Sequence, residues 1–456
     1  MIARKEVKKA VKEGELKKLI STYKYDNRHL KRILRYIGRL PSDYNSTVFK
    51  ELLDFSNDDV RFWAVKNIGK CAEVTDTNDL FKIATKDDNS MVRREAVSSI
   101  GRMRDERNIE QLVELLSDND PKVVLQAIRG LLPFKKKGFV KQKLKSLESH
   151  PNELIRRVLD IELNGRKRKK KKLKHSESSK YLQNLVVKGD TLEVMKEIDK
   201  YSVHLTFTSP PYYNARDYSI YKSYEEYLDF LTNVFKEVHR ITKEGRFFIL
   251  NTSPIIIPRF SRKHSSTRYP IPYDLHNRIV DLGWEFIDDI IWKKPESSAK
   301  DRNGGFKQHR KPLAYKTNAI TECLMVYRKK TNKLIDWNIR QYDKCIVEKS
   351  KVEDGFETTN VWELETNFDK NHSAVFPQSL CERVIKYYSF INDLVFDPFA
   401  GSGTLGVVAK KLNRKYLLTE VNRDYANLIK QKLVQEDLFN KKTDRFLTLN
   451  KFKKNT

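Results

Sequence analysis

The stretch VFDPFAGSGTLG, ending at Gly406, constrains this chain more than any other. Gly401, Gly403 and Gly406 spell G-x-G-x-x-G behind an apolar run, the pattern of a strand that turns through a glycine-rich loop into a helix facing a nucleotide-type cofactor. Such a loop follows the first strand of a doubly wound sheet, which needs several more strands and helices. Only fifty residues of the sequence follow Gly406. The missing strands are therefore expected ahead of the loop, in a sheet whose chain order departs from its usual spatial order.

The segment YLQNLVVKGDTLEVMKEIDKYSVHLTFTSPPYYNARDY supplies the first of them. LVV reads as a strand ending at Gly189-Asp190, a helix follows, and SVHLTFT reads as a buried strand running into Ser209-Pro210-Pro211-Tyr212. Two consecutive prolines cannot continue a strand, and they leave a carbonyl without a ladder partner. Beside it stand the Ser209 hydroxyl and the Tyr212 ring. Two acceptors and an aromatic face suit the exocyclic amino group of a nucleobase swung out of its helix. For these four residues alone, a rigid Pro-Pro turn without chemistry is the competing reading.

Later segments read as helix, turn and strand in SYEEYLDFLTNVFKEVHRITKEGRFFILNTS, and again in PIPYDLHNRIVDLGWEFIDDIIWKKP; TECLMVYRKK reads as one more strand. TSPPY followed far downstream by DPFAGSGT resembles the amino-methylating DNA methyltransferases in the circularly permuted order called the beta class, over roughly residues 180–440. That resemblance implies an α/β Rossmann-like S-adenosylmethionine-dependent methyltransferase whose catalytic half precedes a target-recognition segment, with the cofactor loop last. It implies Ser209, Pro210, Pro211 and Tyr212 as the catalytic set. Cofactor-binding positions carried over are Asp190, Phe376, Pro377, Asp397, Phe399, Gly401, Gly403, Thr404 and Glu420. Glu420 lies 19 residues beyond Gly401, placed for the ribose hydroxyls. A serine at the first motif position goes with N4 of cytosine in the family; N6 of adenine is the alternative. Residues 296–369 are the expected target-recognition region, with Arg302, Lys307, Arg310 and Lys311 as DNA contacts, against a solvated charged loop.

The first 165 residues repeat. Ile33, Ala64, Ala96, Ala127 and Leu159 fall into one column at spacings of 31 or 32, and Ile37, Ile68, Ile100, Leu131 and Leu163 into a second. Each unit opens on an Asn, Asp or Pro cluster that caps a helix. This resembles short HEAT-like repeats, an all-α solenoid over residues 1–165, because units of this length bury their apolar faces only by stacking. Residues 166–180 read as a basic linker around RKRKKKKLK, and 181–456 as the methyltransferase domain.

The net charge of +28 is shared along the chain: 34 basic against 25 acidic residues before the linker, eight basic residues in it, and 47 against 36 after it. Such a chain is expected to meet double-stranded DNA, with a cognate restriction endonuclease as a further partner in a restriction-modification system. No apolar run spans a membrane, the N-terminus has no secretory core, and the expected location is the cytoplasm. Four scattered cysteines suggest no metal site. An RNA or protein methyltransferase would share the cofactor loop. A binding scaffold with an inactive methyltransferase half is the alternative of another class, disfavoured by two intact motifs.

Overall fold

The computed structural model describes residues 2–40, 44–71, 78–164, 177–213, 221–257, 261, 263–264, 267–298, 312, 319–365, 377–436 and 444–455. The chain divides into two compact units, Met1–Lys170 and Lys171–Thr456.

In the first unit, helices Asn27–Tyr36, Asp58–Ile68, Ser90–Met103, Pro121–Leu131 and Glu153–Leu159 are the repeating element. Each starts at a capping side chain: Asp26, Asn57, Asn89, Asp120 and Asn152 all accept backbone N–H groups of the first turn. The whole first column is fully buried, and so is the second, apart from the partly buried Leu163 at the last unit. Gly101 and Gly130 let successive helices touch, since a Cβ on Gly101 would lie 3.0 Å from the Gly130 Cα. Arg61 forks onto Asp87 (2.7 and 2.9 Å) and Arg93 onto Asp118 (2.9 and 3.2 Å), tying each repeat to the loop of the next.

The second unit is built on eleven strands among the described residues: β1 (Leu185–Lys188), β2 (Val203–Thr208), β3 (Thr242–Thr252), β4 (Ile255–Ile257), β5 (Thr267–Tyr269), β6 (Trp284–Lys293), β7 (Thr321–Lys329), β8 (Val361–Glu363), β9 (Leu394–Asp397), β10 (Lys415–Glu420) and β11 (Arg445–Thr448). Nine form one sheet in the order β11-β1-β10-β9-β2-β3-β7-β6-β8, while β4 and β5 form a separate hairpin. From β11 to β3 all neighbours are parallel; β7 runs antiparallel to both β3 and β6. Successive residues alternate between two cores. Phe248, Leu250 and Phe396 pack on one face with helices Tyr224–Ile241 and Ile271–Asp281, and Ile249 and Val395 on the other with helices Gln378–Tyr388 and Thr404–Lys411. Both faces are covered, which explains why these strands read as continuous apolar runs.

The structure departs from the sequence reading in places. The glycine-containing turn expected before β3 is part of the strand: Gly245 sits inside it at φ +69°, and the β2–β3 register shifts nearby. β11 adds an edge strand beside β1 that the polar-flanked RFLT does not announce. Within residues 296–369, β7 and β8 belong to the central sheet.

Candidate active site

The two strands that carry the motifs are neighbours. β9 and β2 pair in parallel, Leu205 opposite Val395 and Thr206 opposite Phe396, although nearly two hundred residues separate them in the chain. The helix after β9 covers one face of the sheet and the helix after β2 covers the other, so a crevice opens between their C-terminal ends, where open α/β sheets take ligands. Thr208 Oγ1 donates to Asp397 Oδ1 at 2.6 Å across this junction, fully buried. Nothing in the sequence singled out Thr208.

On the cofactor side, Asp397 turns inward. Its Oδ1 also accepts the Phe399 N–H at 3.0 Å, which curls the loop. Burial pushes its carboxyl up to about 7, opposed by the Thr208 and Phe399 bonds. Gly401 and Gly403 lie at φ +51° and +77°, a left-handed conformation that glycine adopts freely. Gly403 has a second reason to lack a side chain: its Cβ would lie 2.8 Å from Ile429. Thr404 then opens the helix Thr404–Lys411. Glu420 closes β10, held by the N–H groups of Gly401 and Asn422, both at 2.8 Å, and burial raises its carboxyl. The Gly189 N–H donates to the Glu420 carbonyl at 3.0 Å, which brings Asp190 to the same end of the sheet. Asp190 is exposed and caps helix Thr191–Lys196 through the Glu193 N–H. Phe399 stacks obliquely on Phe230, and Pro377 precedes helix Gln378–Tyr388. Phe376 lies outside the described residues, as do Arg302, Lys307, Arg310 and Lys311.

On the other side of the junction, β2 ends at Thr208, so Ser209 and the Pro210 carbonyl lie beyond the ladder. Tyr212 donates to Glu322 Oε2 and accepts from Ser253 Oγ, both at 3.4 Å. Its phenol is pushed well above its ordinary value by burial and then by Glu322, and stays protonated. Asn251 Nδ2 donates to Glu322 Oε2 at 2.5 Å and approaches Ser209 Oγ at 3.4 Å, while Lys294 Nζ pairs with Glu322 Oε1 at 3.0 Å. Asn251 and Ser253 follow from the rule that ligands meet the C-terminal ends of parallel strands. Glu322 does not: it begins β7, and only the antiparallel pairing of β7 brings its start to the end of β3.

The geometry fits a nucleoside-bearing cofactor on one side, through a glycine loop facing a fixed carboxylate, and a polar aromatic pocket on the other. No group of metal-ligating side chains occurs among the described residues, and no described helix is long and apolar enough to cross a membrane. The family model described as DNA methylase matches residues 203–431, half of the chain, and HEAT repeats match 45–132 and 77–164. The type II beta methyltransferase M.BslI of Bacillus sp. (strain NEB-606) is 29% identical over 268 residues, 56% of this chain but 28% of its own length. Type II methyltransferase M.ScaI of Streptomyces caespitosus is 29% identical over 262 residues, 55% of this chain and 82% of its own. Among solved structures, a DNA modification methylase of Thermus thermophilus complexed with S-adenosyl-L-methionine is 26% identical with a TM-score of 0.48, covering 58% of this chain and 98% of that one.

Proposed function

The chain belongs to the DNA methylase family, and on that premise we propose that it transfers a methyl group from S-adenosylmethionine to an exocyclic amino nitrogen in double-stranded DNA, N4 of cytosine. The observation that carries this is the buried Thr208–Asp397 bond, which locks the Ser-Pro-Pro-Tyr turn beside the glycine-rich loop. Gly401, Gly403, Thr404 and Glu420 would hold the cofactor, with Asp190, Phe376, Pro377, Asp397 and Phe399 shaping its surroundings. Bound there, S-adenosylmethionine supplies a methyl group made electrophilic by its sulfonium.

The residues of this chain deal with the other partner. An aromatic amine is a poor nucleophile because its lone pair is delocalised into the ring. Ser209 Oγ and the Pro210 carbonyl accept its two protons, favour a more tetrahedral nitrogen and aim the lone pair out of the ring plane. Tyr212, kept neutral, offers its ring as a stacking face. Positioning and stabilisation of developing charge carry the rate, and no covalent enzyme intermediate is required. Ser209 at the first motif position supports cytosine over adenine. Residues outside the sheet within 296–369 are assigned to target recognition, including Arg302, Lys307, Arg310 and Lys311, and the helical repeats with the basic linker to sequence-independent phosphate contacts.

Sequencing the genome of a host that expresses the protein, with detection of modified bases, tests the reading in one step. N4-methylcytosine at a recurring site is the expected result; N6-methyladenine there would transfer the assignment to adenine, and unmodified DNA would overturn it.

A further inference from the structure

Asn251 sits near the end of β3 and is 2% exposed. Its Nδ2 is committed to Glu322 and Ser209, yet its Oδ1 is buried with no hydrogen-bond partner among the described residues. A buried acceptor left in that state is costly, so a donor is missing. The identity of the two amide ends follows from the network. A carboxylate only accepts, hence Glu322 holds the nitrogen toward itself and turns the oxygen away. Glu322 is in turn fixed by Lys294, with side chains 17% and 19% exposed. The chain of contacts Lys294, Glu322, Asn251 thus ends on one unsatisfied oxygen whose own amide nitrogen is 3.4 Å from Ser209 Oγ.

We propose that Asn251 Oδ1 is a third acceptor for the amino group of the target base, with Glu322 and Lys294 as the residues that position it. The inference rests on the activity proposed above. The amine has two protons for Ser209 and Pro210, but its nitrogen turns cationic as the methyl group arrives. A third oxygen shares a proton in a three-centre bond, and its amide dipole, with the Glu322 carboxylate behind it, opposes the new charge inside a water-poor site.

The test uses the full-length protein and duplexes carrying the site found by genome sequencing, with either the target base or the analogue lacking its amino group: pyrimidin-2-one for cytosine, purine for adenine. Affinity is measured with S-adenosylhomocysteine present, and methyl transfer in a single turnover. Asn251→Leu is expected to cut the preference for the amine-bearing duplex by about 10-fold and the transfer rate by about 100-fold, with unchanged affinity for the analogue. Glu322→Gln, whose amide no longer dictates the Asn251 orientation, is expected to lose part of the same preference, and it carries the test if Asn251→Leu does not fold. Equal losses on both duplexes, or an unchanged preference, would overturn the inference. A wild-type protein that modifies no host DNA overturns the proposed activity itself, whereas wild-type methylation with unchanged preference in the variants overturns only the role of Asn251.

Discussion

Asp397 is a carboxyl whose surroundings push in opposite directions: burial raises it to about 7, and the Thr208 hydroxyl and Phe399 N–H favour its charged form. Because the folded value lies above the ordinary 3.8, the folded protein holds a proton that the unfolded chain releases first. The associated stability is fully present below about pH 4 and is lost as pH rises through about 7. Asp397→Asn, which cannot ionise, is expected to melt with a weaker pH dependence than wild type between about pH 5 and about pH 8; parallel melting curves would show that Asp397 does not titrate in this window. Ser209 and Tyr212 belong to the other pocket. Ser209→Ala and Tyr212→Ala are each expected to lower methyl transfer, Ser209→Ala about 100-fold, while calorimetric affinity for S-adenosylmethionine stays near wild type. Equal loss of cofactor affinity in both variants would mean that the two pockets are assigned the wrong way round. These roles were legible from TSPPY. The parts of Thr208, Asn251 and Glu322 were not, because each depends on a neighbour brought in by strand pairing.

At the level of elements, the turn from β9 into helix Thr404–Lys411 works only without side chains at two glycines. Gly403 combines a left-handed backbone with Ile429 at the place of its Cβ, and a Cβ on Gly406 would meet Leu418 at 2.6 Å. Gly403→Val is therefore expected to add ~1 kcal/mol or more of backbone strain, to displace helix Arg423–Glu436, and to abolish measurable S-adenosylmethionine binding by titration. Wild-type affinity in that variant would remove the loop from the cofactor site. The strand–loop–helix pattern was evident from glycine spacing, but the clash with Ile429 was not. It arises from a helix packed back over the loop, and no local signal encodes that.

The whole molecule joins a repeat unit to an α/β unit through a strongly basic segment. The first fifty residues carry 14 basic against 5 acidic side chains, and the linker adds eight more basic ones. Removing everything before Ser176 is expected to weaken binding to all DNA sequences and to flatten the dependence of log affinity on log salt by about 0.9 for each phosphate no longer neutralised, without changing which base is methylated. Equal slopes for full-length and shortened proteins would assign the repeats to a protein partner instead.

Periodicity and motif chemistry are local properties, and the sequence determined what depends on them: two columns of buried residues 31 or 32 apart, five helix caps, the strands around TSPPY and DPFAGSGT, and the permuted order of the two halves. Each is written in residues a few positions apart, where backbone geometry alone links them. Tertiary structure decided everything that requires two distant segments to meet. It placed β9 against β2 so that Thr208 reaches Asp397, and it reversed β7 so that Glu322 arrives beside Asn251. Strand order and direction depend on how both faces of the sheet are buried at once, and no single segment carries that information.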